Sequence, residues 1–213
     1  MLTEDQKDTL KEIINIGFSR TAASLSELTN NRVILDPPEV ELLPISNLSL
    51  KMNTIMPGKT ASVVQVFTGK FSGSAMITLD YNGTTLLSDL LTGQTVIQKR
   101  ELNDSDCEIL AEVGNILLTA CLSIFGNLLN VKITFSIPKV ELEVLDSMLK
   151  SLVIKTEELQ YSLVALTKFR VKQSSIQGCF TIIFGVSSLD SLINALDELN
   201  HNASKPEFFK NIE

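Results

Sequence analysis

The chain has 213 residues, 44% of them hydrophobic, which is enough to bury a sizeable core as one domain or as two fused halves. Its formal charge of -7 and the lack of any long Lys/Arg run argue against a nucleic-acid or anionic-membrane surface, because phosphate binding needs a concentrated positive patch. An acidic chain of this kind points instead to a protein partner, and an aromatic content of only 6% predicts a core built mainly of Leu, Ile and Val.

The opening MLTEDQKD has no basic segment leading into an apolar one, so no secretory signal is expected and the protein is read as cytoplasmic. Helical spacing then runs from about Thr3 to Leu28, with Thr3 or Asp5 as cap and Asn30-Asn31 as stop. At 100° per residue, Leu10, Ile13, Ile14, Gly17, Thr21, Ser24, Leu25 and Leu28 share a packing sector. Asp8, Glu12, Asn15, Ser19, Ala22 and Ser26 fall on the outward side. Strands are predicted at Arg32 to Leu35, Val40 to Leu43, Ala61 to Phe67 and Phe71 to Leu79, with GKFSG turning between the longer two. Ser46 to Lys59 reads as the least structured stretch, with Pro57-Gly58 marking a loop, and Thr84 to Leu91 reads as a short helix.

Near residue 100 the pattern begins again. A helix is predicted from about Asp104 to Leu129, strands near Lys132 to Phe135 and Val140 to Val144, a hairpin of Tyr161 to Val171 with Gln177 to Val186, and a closing helix from Ser188 to Leu199. Residues 205–213 are expected to form a loosely held tail, with Phe208 and Phe209 as candidates for docking. Leu10, Glu12, Asn15, Ile16, Leu28, Asn30, Pro38, Val40, Glu41 and Leu42 recur identically at positions 110, 112, 115, 116, 128, 130, 138, 140, 141 and 142. Duplication is the economical explanation. The expected fold is therefore α+β, with internally duplicated halves related by a pseudo-two-fold and an antiparallel sheet carrying two long helices. Residues 1–204 would form a single domain of two repeats, about 1–99 and 100–204.

Val113 to Val131 lacks charged residues, but Asn115, Asn127 and Asn130 interrupt it, so a helix packed inside the protein is expected and no membrane insertion. Cys107, Cys121 and Cys179 are odd in number and form no CxxC pair, which fits reduced thiols. His201 is the only histidine, and neither a P-loop nor a GxGxxG is present. What is left is a Glu and an Asn one helical turn apart, Glu12 with Asn15 and Glu112 with Asn115. A single ExxN is ordinarily solvated decoration. Here it occurs twice, while buried positions between the copies differ, as in Ile14 against Gly114 and Gly17 against Leu117. Its surroundings are small or uncharged: Ser19, Ala22 and Ser26 on the first helix, Thr119, Leu122 and Gly126 on the second. Such a stripe lets another surface approach closely.

The segments Asp8-TLK-Glu12-II-Asn15 and Glu108-ILA-Glu112-VG-Asn115 resemble the signature of the CheC-like phosphatases of bacterial chemotaxis, CheC, CheX and FliY. That signature is Asp or Ser, three residues, Glu, two residues, Asn; the second copy departs from it with Glu108 in first place. The resemblance covers about residues 4–200, including PEVELLP at 38–44 and FSGSAMITL followed by LLSDLLTG, and is nearest to a stand-alone CheC without the additional motor domain of the FliY type. It implies hydrolysis of the aspartyl phosphate on a CheY-type response regulator. Asn15 or Asn115 would orient the attacking water, Glu12 or Glu112 would pair with a lysine of the regulator, and Asp8, Ser19, Glu108 and Thr119 would border the docked partner. The Mg²⁺ would belong to the regulator, leaving this chain without a cofactor of its own. The competing expectation is a non-catalytic binding module for a response regulator or for the CheD deamidase.

Overall fold

The structure, a computed structural model, describes residues 2–93, 100–142, 159–171 and 174–202. Helix α1, Glu4–Thr29, starts in a capping box: Thr3 accepts from the Gln6 amide at 3.2 Å, and the Gln6 side chain accepts from the Thr3 amide at 2.9 Å. It stops at Asn30, which takes a left-handed conformation with φ 46°. Asn130 does the same at φ 48°, just beyond the second long helix. Asparagine tolerates this region because its short polar side chain can bond locally.

Strands β1 (Val33–Leu35) and β2 (Glu39–Pro44) follow, then helix α2 (Ile45–Ile55), strands β3 (Thr60–Gly69) and β4 (Gly73–Asp80), and helix α3 (Tyr81–Thr92). The second half gives α4 (Asp104–Leu128), β5 (Ile133–Phe135), β6 (Lys139–Glu141), β7 (Leu159–Val171), β8 (Ser174–Gly185) and α5 (Val186–Asn202). The sheet runs β1-β7-β8-β4-β3-β5, with β2 also on β7 and β6 also on β3, and every pairing is antiparallel. The short strands of each half thus pair with the long strand of the other, and β4 with β8 forms the seam. Exchanging the halves reads the same strand order in reverse.

One face of the sheet carries α1, α3, α4 and α5, with Ile13, Phe18, Leu117 and Phe125 packed on Val63, Phe67, Ile77 and Ile182. On the other face, Leu48 and Met52 of α2 cover Met76, Val164 and Ile183. Burial on both sides explains why Ser74 to Leu79 is buried without alternation. Helix α4 is long and apolar enough to cross a membrane by length and composition, but its Leu117, Leu118, Leu122 and Phe125 are enclosed in this core.

Glycines set how closely α4 lies. A Cβ on Gly17 would stand 2.9 Å from Ile124 and 3.6 Å from the Cys121 Cα, so α1 and α4 touch there, with Thr21 Oγ1 3.7 Å from Cys121 Sγ. A Cβ on Gly114 would come within 2.5 Å of Val63, so α4 rests directly on β3. Asp89 of α3 and Asp106 in the first turn of α4 share Arg100, at 2.7 Å and 2.6 Å.

Several expectations need correction. Ser46 to Lys59 is not unstructured: most of it is α2, whose Ile45, Leu48, Met52 and Ile55 follow helical spacing onto the sheet. No side-chain cap marks its start, since Pro44 occupies the N-cap. Leu28, expected in the packing sector, is 45% exposed. Leu122 and Gly126, expected on the outward stripe, are buried; at Gly126 the segment after α4 lies against the helix, and a Cβ there would meet the Val131 carbonyl at 3.2 Å and Ile133 at 3.3 Å. Helix α3 starts three residues early, at Tyr81, because Asp80 caps it through the Gly83 amide at 2.7 Å. Val144, Phe208, Phe209 and the tail lie outside the described residues.

Candidate functional site

On α1, Asp8, Glu12 and Ser19 are exposed and Asn15 is half-buried between them. Asp8 meets Lys11 at 3.4 Å, a solvated pair that a partner can readily exchange. The Ser19 hydroxyl donates back to the Asn15 carbonyl at 2.9 Å, which keeps it short and local. Neither Glu12 nor the Asn15 carboxamide has a hydrogen-bonding or ionic partner among the described residues.

On α4, Glu108 and Glu112 are likewise exposed and unpaired among the described residues, with Asn115 and Thr119 half-buried. The structure therefore places each predicted group of four along the outer side of its own helix. The two asparagines differ in surroundings. Asn115 Oδ1 accepts from Gln65 Nε2 at 3.0 Å, and the same nitrogen donates to the Ser136 carbonyl at 2.8 Å. Gln65 was not singled out from sequence; its only signal is an amide inside the apolar run TASVVQVF, on the helix-facing side of β3 with Val63 and Phe67. Gly114 brings it within reach by letting α4 settle on Val63.

Other chemistry is weakly supported. Burial pushes the Cys121 and Cys179 thiols up to about 12, and burial together with Asp104 and Asp106 raises Cys107, so all three stay protonated near neutral pH. His201 is exposed in the last turn of α5. Among the described residues no three His, Cys, Asp or Glu side chains converge as a metal site.

No family model matches the sequence. Over 208 residues the chain is 24% identical to the flagellar motor switch phosphatase FliY of Bacillus subtilis, covering 97% of this chain and 54% of that protein. It is also 24% identical over 147 residues to the CheY-P phosphatase CheC of Bacillus subtilis, covering 67% of this chain and 68% of that one. The crystal structure of Thermotoga maritima FliY shares the fold with a TM-score of 0.76 at 19% identity, over 93% of this chain and 98% of that chain. The chain is thus similar in sequence to FliY and CheC proteins and shares its fold with FliY. A chain of the CheX–CheY–BeF3–Mg+2 complex from Borrelia burgdorferi has the same fold at a TM-score of 0.52 and 14% identity, over 80% of this chain and 97% of that chain. The chain spans about half the length of the FliY relative, 54%, and the FliY match extends over more of this chain than the CheC match does.

Proposed function

We propose that this chain hydrolyses the aspartyl phosphate of a CheY-type response regulator. The carrying observation is an exposed Glu and a half-buried Asn, one turn apart, on the outer side of both α1 and α4. Relatives named as a flagellar motor switch phosphatase and as a CheY-P phosphatase support the reaction class.

The chemistry asks little of the protein. An acyl phosphate is already reactive, and catalysis consists mainly of holding water in line with the phosphorus. Water adds to phosphorus, the bond from phosphorus to the aspartyl oxygen breaks, and the products are inorganic phosphate and the free carboxylate. The proton of the attacking water leaves with the phosphate. Asn15 and Asn115 act by hydrogen-bonding that water without bringing a negative charge beside the phosphoryl oxygens, as an Asp would. Glu12 and Glu112 fix the docking register by pairing with a lysine of the regulator, and Asp8, Ser19, Glu108 and Thr119 border the contact. The Mg²⁺ is assigned to the regulator.

The test is phosphate release from a phosphorylated CheY-type regulator with Mg²⁺, with and without this chain. Acceleration is expected. Binding with an unchanged release rate would overturn the hydrolytic reading in favour of a docking module for a regulator or for CheD.

A further inference from the structure

Gln65 is 1% exposed, on a strand position otherwise suited to an apolar side chain. Its Nε2 faces two acceptors, the Ser136 carbonyl at 2.8 Å and Asn115 Oδ1 at 3.0 Å. A main-chain carbonyl can only accept, so the Gln65 atom opposite it must be the nitrogen. That nitrogen has one hydrogen left for Asn115, and the Asn115 atom it meets must then be the oxygen. Asn115 therefore turns Oδ1 inward, which leaves its Nδ2 and one Oδ1 lone pair uncommitted.

The arrangement is unfavourable for the fold alone. Gln65 Oε1 is buried with no hydrogen-bond donor in reach among the described residues, and a Met of similar length would fill the same space without an orphaned acceptor. A buried amide kept under these conditions has a task that its shape does not explain.

We propose that Gln65 is a positioning residue that fixes the Asn115 carboxamide of the second site. This rests on the phosphatase reading above. The held Asn115 presents Nδ2 to a phosphoryl oxygen of the regulator and its remaining Oδ1 lone pair to the attacking water. Asn15, whose carboxamide has no partner among the described residues, is oriented only when the regulator docks. The two sites thus differ in kind: the second is organised in advance, and the first adapts on binding.

The experiment uses the full chain with Asn15→Ala, so that only the second site works, and compares it with Asn15→Ala combined with Gln65→Met. Turnover is expected to fall about tenfold in kcat with KM for the phosphorylated regulator unchanged, since orientation and not docking is lost. In a chain carrying Asn115→Ala, Gln65→Met has nothing left to position, and the kcat ratio returns to about one. An unchanged kcat in the first comparison, an equal loss in the second, or an inactive Asn15→Ala chain beside an active wild type would each overturn the proposal. NMR supplies a readout independent of hydrolysis. The Gln65 side-chain amide hydrogens should exchange slowly with water, and the Asn115 side-chain amide should shift on Gln65→Met. If the wild type released no phosphate, the phosphatase reading would fail by itself. A fast-exchanging Gln65 amide would remove the clamp whatever the activity.

Discussion

A carboxamide offers donors and an acceptor without net charge, which is what in-line water needs next to a phosphoryl group. Asn15 and Asn115 are half-buried, and each has an exposed Glu one turn before it. The residue-scale contrast is Arg100, which serves stability. Its side chain is 17% exposed and bridges Asp89 and Asp106, at 1% and 6%. Arg100→Ala would remove the cation that two buried carboxylates share and is expected to cost about 3–5 kcal/mol, read from the denaturant midpoint. The Arg100 hydrogen bond holds Asp106 well below the usual carboxylate range, against burial, which pushes the other way. A depressed folded-state value contributes stability that is complete above the unfolded carboxylate value, about 4, and is lost as pH falls below it. Acid titration of stability should therefore show a decline below about pH 4 that is shallower in Arg100→Ala.

At the scale of elements, closeness decides what each helix can do. Ile14 on α1 is an ordinary core residue, whereas Gly114 at the corresponding place on α4 admits Val63 to within 2.5 Å of where a Cβ would be. Gly114→Val should lift α4 from β3, cost about 1–3 kcal/mol in thermal or chemical unfolding, and slow the second site more than the first. The long helices were legible in sequence because their signals are local: Thr3 with Gln6 at the start, Asn30 at the end, and apolar residues at helical spacing. Helix α2 was not, since it starts after Pro44 without a cap and its apolar residues have meaning only against the far face of the sheet. The outer positions of Glu12, Asn15, Glu112 and Asn115 followed from angles on a helix. Gln65 did not, because its hydrogen bond to Asn115 spans fifty residues of sequence and depends on how α4 lies over β3.

Over the whole molecule, the exchange of short strands ties the halves together: β1 and β2 complete the edge beside β7, and β5 and β6 complete the edge beside β3. The helix that carries each candidate site therefore lies on a sheet to which both halves contribute. Antiparallel pairing and helices on the sheet could be foreseen from hairpin spacing, but the cross-pairing could not, because either long strand satisfies a partner of three to six residues equally well in sequence terms. Two like helices on one sheet carry two candidate sites, one whose asparagine is bonded to Gln65 and one whose asparagine carboxamide has no partner among the described residues. The central claim is that their asparagines carry hydrolysis. Its most direct test is phosphate release from a phosphorylated CheY-type regulator with wild type, Asn15→Ala, Asn115→Ala and the double variant. The account predicts a partial loss in each single variant and a fall on the order of 10²-fold in the double, with unfolding transitions unchanged. A double variant that releases phosphate at the wild-type rate would contradict it.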